Sequence, residues 1–101
     1  MGKVSVTIEK YKISTSELLD RDAIYVEHYG HDKWAVTKEG SNFCLADDGV
    51  WEYQPLPSSR DEKFMQRCRF DFSKAFYLAN EEIVKVEKTR VDQRERLAGR
   101  N

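Results

Sequence analysis

The sequence predicts an α+β fold: an antiparallel meander of four to five strands, then a short helix and a longer C-terminal amphipathic helix packed on the sheet. Three observations carry this. Residues 23–53 hold short β-branched and aromatic runs separated by Gly- and Asp-bearing turns. Pro55 and Pro57 then close the sheet region, because neither can donate a ladder hydrogen bond. From Phe72 onward the apolar residues are spaced by three and four, the period of a helix with one buried face.

In chain order, Val4, Val6 and Ile8 alternate with polar residues, as a half-buried strand does, and Tyr11 and Ile13 continue on the opposite parity. A bulge near Glu9–Lys10 reconciles the two runs. Ser14 and Glu17 have capping-box spacing and predict a helix of one or two turns through Leu18 and Leu19. Ala23–Tyr29 and Trp34–Thr37 read as strands joined by a turn at Gly30-His31-Asp32. Phe43–Ala46 and Val50–Tyr53 flank Asp47-Asp48-Gly49, the strongest hairpin signal in the chain. The first strand joins the edge of this meander.

Ser59 with Glu62 repeats the capping-box spacing and opens a short helix through Phe64, Met65 and Cys68, while Ser73 is the expected N-cap of the last element. There Phe72, Phe76, Ala79, Ile83 and Val86 form the sheet-facing stripe. Acid-first pairs at Glu81/Lys85 and Asp92/Arg96 support the helix. The β-branched cluster Ile83, Val84 and Val86 leaves a strand as the alternative for residues 82–91. After Val86 the next residues in phase are Arg90 and Gln93, so residues 1–88 are read as one domain and 89–101 as a basic helical or frayed extension.

The length of 101 residues fits one domain. Charged residues reach 35%, and the apolar 40% includes twelve aromatics that offset a thin core. Net charge is −1, yet residues 1–59 carry six basic against ten acidic side chains and residues 60–101 eleven against eight. Such a split suits a face made for a charged partner, or arises by chance. No stretch has the roughly 18–20 apolar residues of a membrane span. The start, Met1–Val6, lacks both a signal-peptide core and the myristoylation pattern, and a cytoplasmic, membrane-free protein is expected. Cys44 and Cys68 are too few for a disulfide framework and read as two reduced, partly buried thiols.

The chemistry-bearing residues form no recognisable motif. His28, His31, Cys44 and Cys68 could number four zinc ligands, but their spacing matches no finger and no metal or cofactor is expected. Ser58 and Ser59 are accounted for as helix caps rather than nucleophiles, and Asp47 and Asp48 as turn residues rather than a calcium loop. The five glycines are scattered, with no phosphate loop. The chain is therefore read as a non-enzyme.

Binding surfaces are better represented. If Ile24, Val26 and Val36 face the core, Tyr25 and Tyr29 point to the other sheet face, and Trp51 and Tyr53 share a face opposite Val50. Aromatic sheets can stack bases, but this half is acidic, which favours packing or a protein interface. Arg60, Lys63 and Arg67 line one face of the short helix, a solvated face or a contact for acidic or phosphate groups. Val84 and Val91 align with Tyr77 and Ala98 in a second helical stripe that the sheet does not need, suited to a homodimer or a partner.

The run Gly49-Val50-Trp51-Glu52-Tyr53-Gln54-Pro55-Leu56-Pro57-Ser58-Ser59-Arg60-Asp61, with Phe64 and Arg69-Phe70 after it, resembles a pattern in small phage and prophage proteins, over residues 49–79. That resemblance supplies no catalytic residues. It implies a protein that binds and redirects a host protein or protein–nucleic-acid complex, as anti-defence inhibitors of the anti-CRISPR kind do, in the host cytoplasm. The leading expectation is thus a phage-type interaction protein that inhibits or modulates a host macromolecule. The alternative is a nucleic-acid-binding regulator using the basic helical half, with direct nucleic-acid binding the less favoured.

Overall fold

The computed structural model describes residues 9–99. Five strands, β1 (Lys10–Ile13), β2 (Ile24–His28), β3 (Trp34–Lys38), β4 (Phe43–Leu45) and β5 (Trp51–Tyr53), form one antiparallel sheet in the order β1-β2-β3-β4-β5. Two helices follow, α1 (Glu62–Cys68) and α2 (Phe72–Ala98). The predicted α+β meander with a short and then a long helix is the observed fold. The predicted strand over Val4, Val6 and Ile8 lies outside the described residues.

Register puts Val26 opposite Val36, and Leu45 opposite Trp51. Because side chains alternate along each strand, Ile24, Val26, Val36 and Leu45 fall on one face. There they meet Ala75, Ala79 and Ile83 of α2 in the main core, flanked by Tyr11, Trp34, Trp51, Phe72 and Val86. The opposite face carries Cys44, which packs with Ala46, Phe64 and Cys68 in a smaller cluster beneath α1. The sheet is thus covered on one face by α2 and, at its β4 end, on the other by α1. Between the helices, Phe70 exchanges two backbone hydrogen bonds with Trp34 (2.7 and 2.9 Å). The chain crosses from one face to the other there.

The turns follow their residues. At Asp47-Asp48-Gly49, Gly49 adopts φ +85°, Asp48 accepts from the Val50 N–H at 3.0 Å, and the Ala46 N–H donates to the Val50 carbonyl.

Several local expectations are corrected. Residues 14–19 form no helix: Thr15 caps a turn by accepting from the Glu17 and Leu18 N–H groups, and a single 3-10 turn follows at Asp20–Asp22. Ser59 does not cap α1, because it sits inside a 3-10 turn at Pro57–Ser59, and Asp61 accepts from the Phe64 N–H instead. Likewise Asp71, not Ser73, caps α2 by accepting from the Lys74 N–H at 2.8 Å. A carboxylate at a helix start adds charge–dipole attraction to the same hydrogen bond a serine would make, so in each case the acid two residues away wins. Phe76 is left 42% exposed, stacked on Phe72, while Ala75 takes the buried position. Residues 82–91 are helical throughout.

Candidate interaction surface

Tyr25 and Tyr29 do share the face opposite α2, but both are engaged. The Tyr25 hydroxyl donates to Glu39, which raises its pKa, and Lys10 lies 4.2 Å over its ring. Around it Lys12 pairs with Asp20 at 2.8 Å, holding that carboxyl below its ordinary value, and Thr37 donates to Glu27. Tyr29 accepts a hydrogen bond from Gln54 and is flanked by Arg69 at 4.3 Å and Arg60 at 5.5 Å.

Arg69 is a buried cation whose surroundings no sequence pattern marks. Its guanidinium donates to the Cys68 carbonyl (2.9 Å) and to Gln54 Oε1 (2.7 Å), and lies between the rings of Tyr29 and Phe64. Burial lowers its pKa. The ring faces supply part of the stabilisation that a carboxylate would give elsewhere. Aromatics at 29 and 64 and an arginine at 69 were visible in the sequence, but nothing local showed that they would be neighbours.

The three basic residues read as one helical face do not form one. Arg60 precedes the Asp61 cap, and its Nε donates to the Pro55 carbonyl at 2.8 Å. Arg67 makes a two-pronged pair with Glu52 (2.9 and 2.8 Å), which raises the arginine's pKa and lowers the glutamate's. Lys63 is exposed. Arg67 is thus committed to holding α1 against β5, and Arg60 to bracing the link that leads into α1.

Trp51 and Tyr53 lie on the α2-covered face, not with Tyr25 and Tyr29, so the four aromatics make no single platform. Trp51 is half-buried on the core. Its Nε1 donates to Glu82 at 3.1 Å, and Lys38 sits 4.3 Å over its ring. Together with Asp22, Val86 and Arg90 these residues line a groove of about 330 Å³. Tyr53 lies two residues on, beyond the reach of α2. It packs edge-to-face on Phe43 (ring centres 6.2 Å apart), and the two rings remain 63% and 43% exposed. Leu56, three residues further, is 74% exposed. Phe43 and Leu56 were missed because Phe43 reads as part of the strand run Phe43–Ala46 and Leu56 stands alone between two prolines. Only the strand register brings Phe43 opposite Tyr53.

On α2, Tyr77 and Val84 are exposed and Val91 is half-buried. The segment after Lys88 is helical to Ala98 and tied back to the β1–β2 connection: Arg90 pairs with Asp22 at 2.8 Å and Arg94 with Glu17 at 3.0 Å. The first pair holds the Asp22 carboxyl below its ordinary value. Lys85 turns to Glu82 at 3.4 Å rather than to Glu81.

Among the described residues no side-chain hydrogen bond joins a histidine to a serine or cysteine. His28 packs against Trp34 with the rings tilted (centres 4.6 Å apart), and His31 occupies the β2–β3 turn at φ +44°. Ser58 and Ser59 belong to the 3-10 turn, and both cysteines are fully buried. Among the described residues no three His, Cys, Asp or Glu side chains group as a metal site, and no helix is long and apolar enough to cross a membrane. No protein-family model, curated protein or solved structure matches the chain.

Proposed function

We propose that this chain is a non-enzymatic interaction protein that binds a protein partner at the open end of β4–β5. The observation that carries the reading is the Phe43–Tyr53 pair, prearranged edge-to-face yet open to solvent, with Leu56 exposed beyond it on the same chain segment. Aromatic side chains bring large contact area with few torsions to freeze, and a pair already in contact loses less freedom on docking. Such residues are the usual anchors of protein interfaces.

The finer reading is a phage-type protein that inhibits or modulates a host macromolecule in the host cytoplasm. It is supported by the resemblance over residues 49–79, a stretch that contains Tyr53 and Leu56. The nucleic-acid alternative has less support, since Arg60 and Arg67 already hold internal partners and would have to leave them to meet phosphate.

The test is capture from bacterial lysate with and without nuclease, comparing the wild-type chain with a Phe43→Ser/Tyr53→Ser double variant shown to fold. A protein retained by the wild type and lost, by roughly thirtyfold or more, with the double variant is the expected result. Equal capture by both chains, or capture that vanishes with nuclease, overturns the reading.

A further inference from the structure

The chain's two cysteines meet in the fold. Cys44 lies on β4, opposite Thr37 in the register, and points to the face that α1 covers. Cys68 is the last residue of α1. Both are completely buried in the small cluster with Ala46 and Phe64, and both are free thiols. The backbone beside each is drawn together, because the Asp47 N–H donates to the Arg67 carbonyl at 2.9 Å. That bond joins the residue before Cys68 to the chain three residues after Cys44. Cys44 is also the direct neighbour of the Cys68 thiol, which burial, then Cys44, push up to about 12.

We infer that Cys44 and Cys68 are an oxidisable dithiol, a modification site that takes a disulfide or peroxide oxidant and yields an internal disulfide stapling α1 to β4. Packing alone would be served by alanine or valine at these positions. A thiol on each side of the same layer boundary adds the one possibility those residues lack, a covalent bond between helix and sheet.

Access follows from how lightly α1 is held. The helix has seven residues and buries only Phe64 and Cys68; the Arg67–Glu52 pair and the Asp47–Arg67 backbone bond tie it directly, while Arg69–Gln54 and the two Phe70–Trp34 backbone bonds anchor the chain just after it. Small units of this kind open at lower cost than the core, so α1 can lift while the cluster under α2 stays closed. In the closed state the Cys68 thiol keeps its proton and does not react, because the thiolate is the nucleophile. Once α1 lifts, one thiolate attacks a sulfur of the oxidant disulfide. The oxidant's S–S bond breaks, its first half leaves as a thiolate that takes up a proton, and a mixed disulfide remains. The second cysteine, deprotonated by solvent, attacks the protein sulfur of that mixed disulfide and expels the second half as a thiol. The two cysteines have then lost two protons and two electrons, and the oxidant has become two thiols. With hydrogen peroxide, the same two electrons reduce it to two waters, the first released as the sulfenic acid forms and the second as the other thiol displaces it.

The experiment treats reduced wild-type protein with glutathione disulfide in mild urea, returns it to buffer, traps remaining thiols by alkylation after denaturation, and measures intact mass. The expected product is lighter by about two mass units, the two hydrogens lost, with no glutathione adduct, no alkylation and a peptide joining residues 44 and 68. Its thermal midpoint rises by at least about 5 °C, because the link constrains the unfolded chain. A Cys44→Ala chain must lose both responses. Two alkylatable thiols after treatment, two glutathione adducts, disulfide-linked dimers, or an internal disulfide that lowers the midpoint would each overturn the inference.

Discussion

Ile83 and Val84 are neighbours in α2 with opposite surroundings: Ile83 is 3% exposed among Val26, Val36 and Leu45, while Val84 is 65% exposed. Ile83→Ala removes three carbons, which at about 0.8 kcal/mol each gives roughly 2.4 kcal/mol of lost burial. The space left under a helix clamped on a sheet cannot fully collapse, so the total comes to about 3–4 kcal/mol. Val84→Ala removes carbons already in water. Alanine's better helix propensity offsets the small area of valine that was covered, leaving a change within about 0.5 kcal/mol of zero. Urea unfolding of both variants, with unchanged slopes, reads the two numbers directly. For a chain of this length the difference corresponds to a gap of more than about 12 °C in thermal midpoint. Equal losses, or a larger loss at Val84, would mean that α2 meets the sheet with another face, and the description of the core would be wrong.

Other outcomes follow from the same geometry. Asp61→Ala should cost about 1 kcal/mol and Ser59→Ala less than about 0.5, since Asp61 makes the cap; equal costs would restore the serine. The Asp22 carboxyl lies below its ordinary 3.8 in the folded chain, so its pairing with Arg90 stabilises above that pH and is lost as pH falls through the lower folded value. Asp22→Asn should therefore be less stable at neutral pH and flatten the acid limb of a stability-versus-pH curve; an unchanged limb contradicts this. Arg67→Glu should destabilise α1 against β5 without creating or removing salt-sensitive DNA binding, whereas a nucleic-acid surface there would show a steep salt slope in the wild type.

The meander was legible because its strands are short, β-branched and separated by turns whose residues have few other uses: Asp47-Asp48-Gly49 and Gly30-His31-Asp32 leave little choice. The α2 stripe was legible in period and, at Phe72, Ala79, Ile83 and Val86, in phase; Phe76 alone gives way to its neighbour. Phe76 and Ala75 differ by one position, and a small alanine against the sheet lets the backbone approach in a way hydrophobicity alone does not favour. The caps were mistaken because Ser59 has capping-box spacing to Glu62 and Ser73 is a favoured cap residue, while Asp61 and Asp71, each two residues away, bring the same acceptor and a charge. The second face could not be read at all. That Cys44, Phe64, Cys68 and Arg69 converge depends on α1 folding back over β4, a long-range event with no local period. The same holds for the Phe43–Tyr53 pair, created by register across a turn.

The proposed docking of a protein partner on the open end of β4–β5 can be mapped directly. Amide hydrogen exchange of this chain, free and bound to the partner that the wild-type chain retains from lysate, locates the interface without mutation. Docking there gives new protection concentrated at Phe43 and across residues 51–56, with the exposed positions of α2 around Tyr77 and Val84 unchanged. Protection confined to α2, or to Arg60 through Arg67, would contradict it.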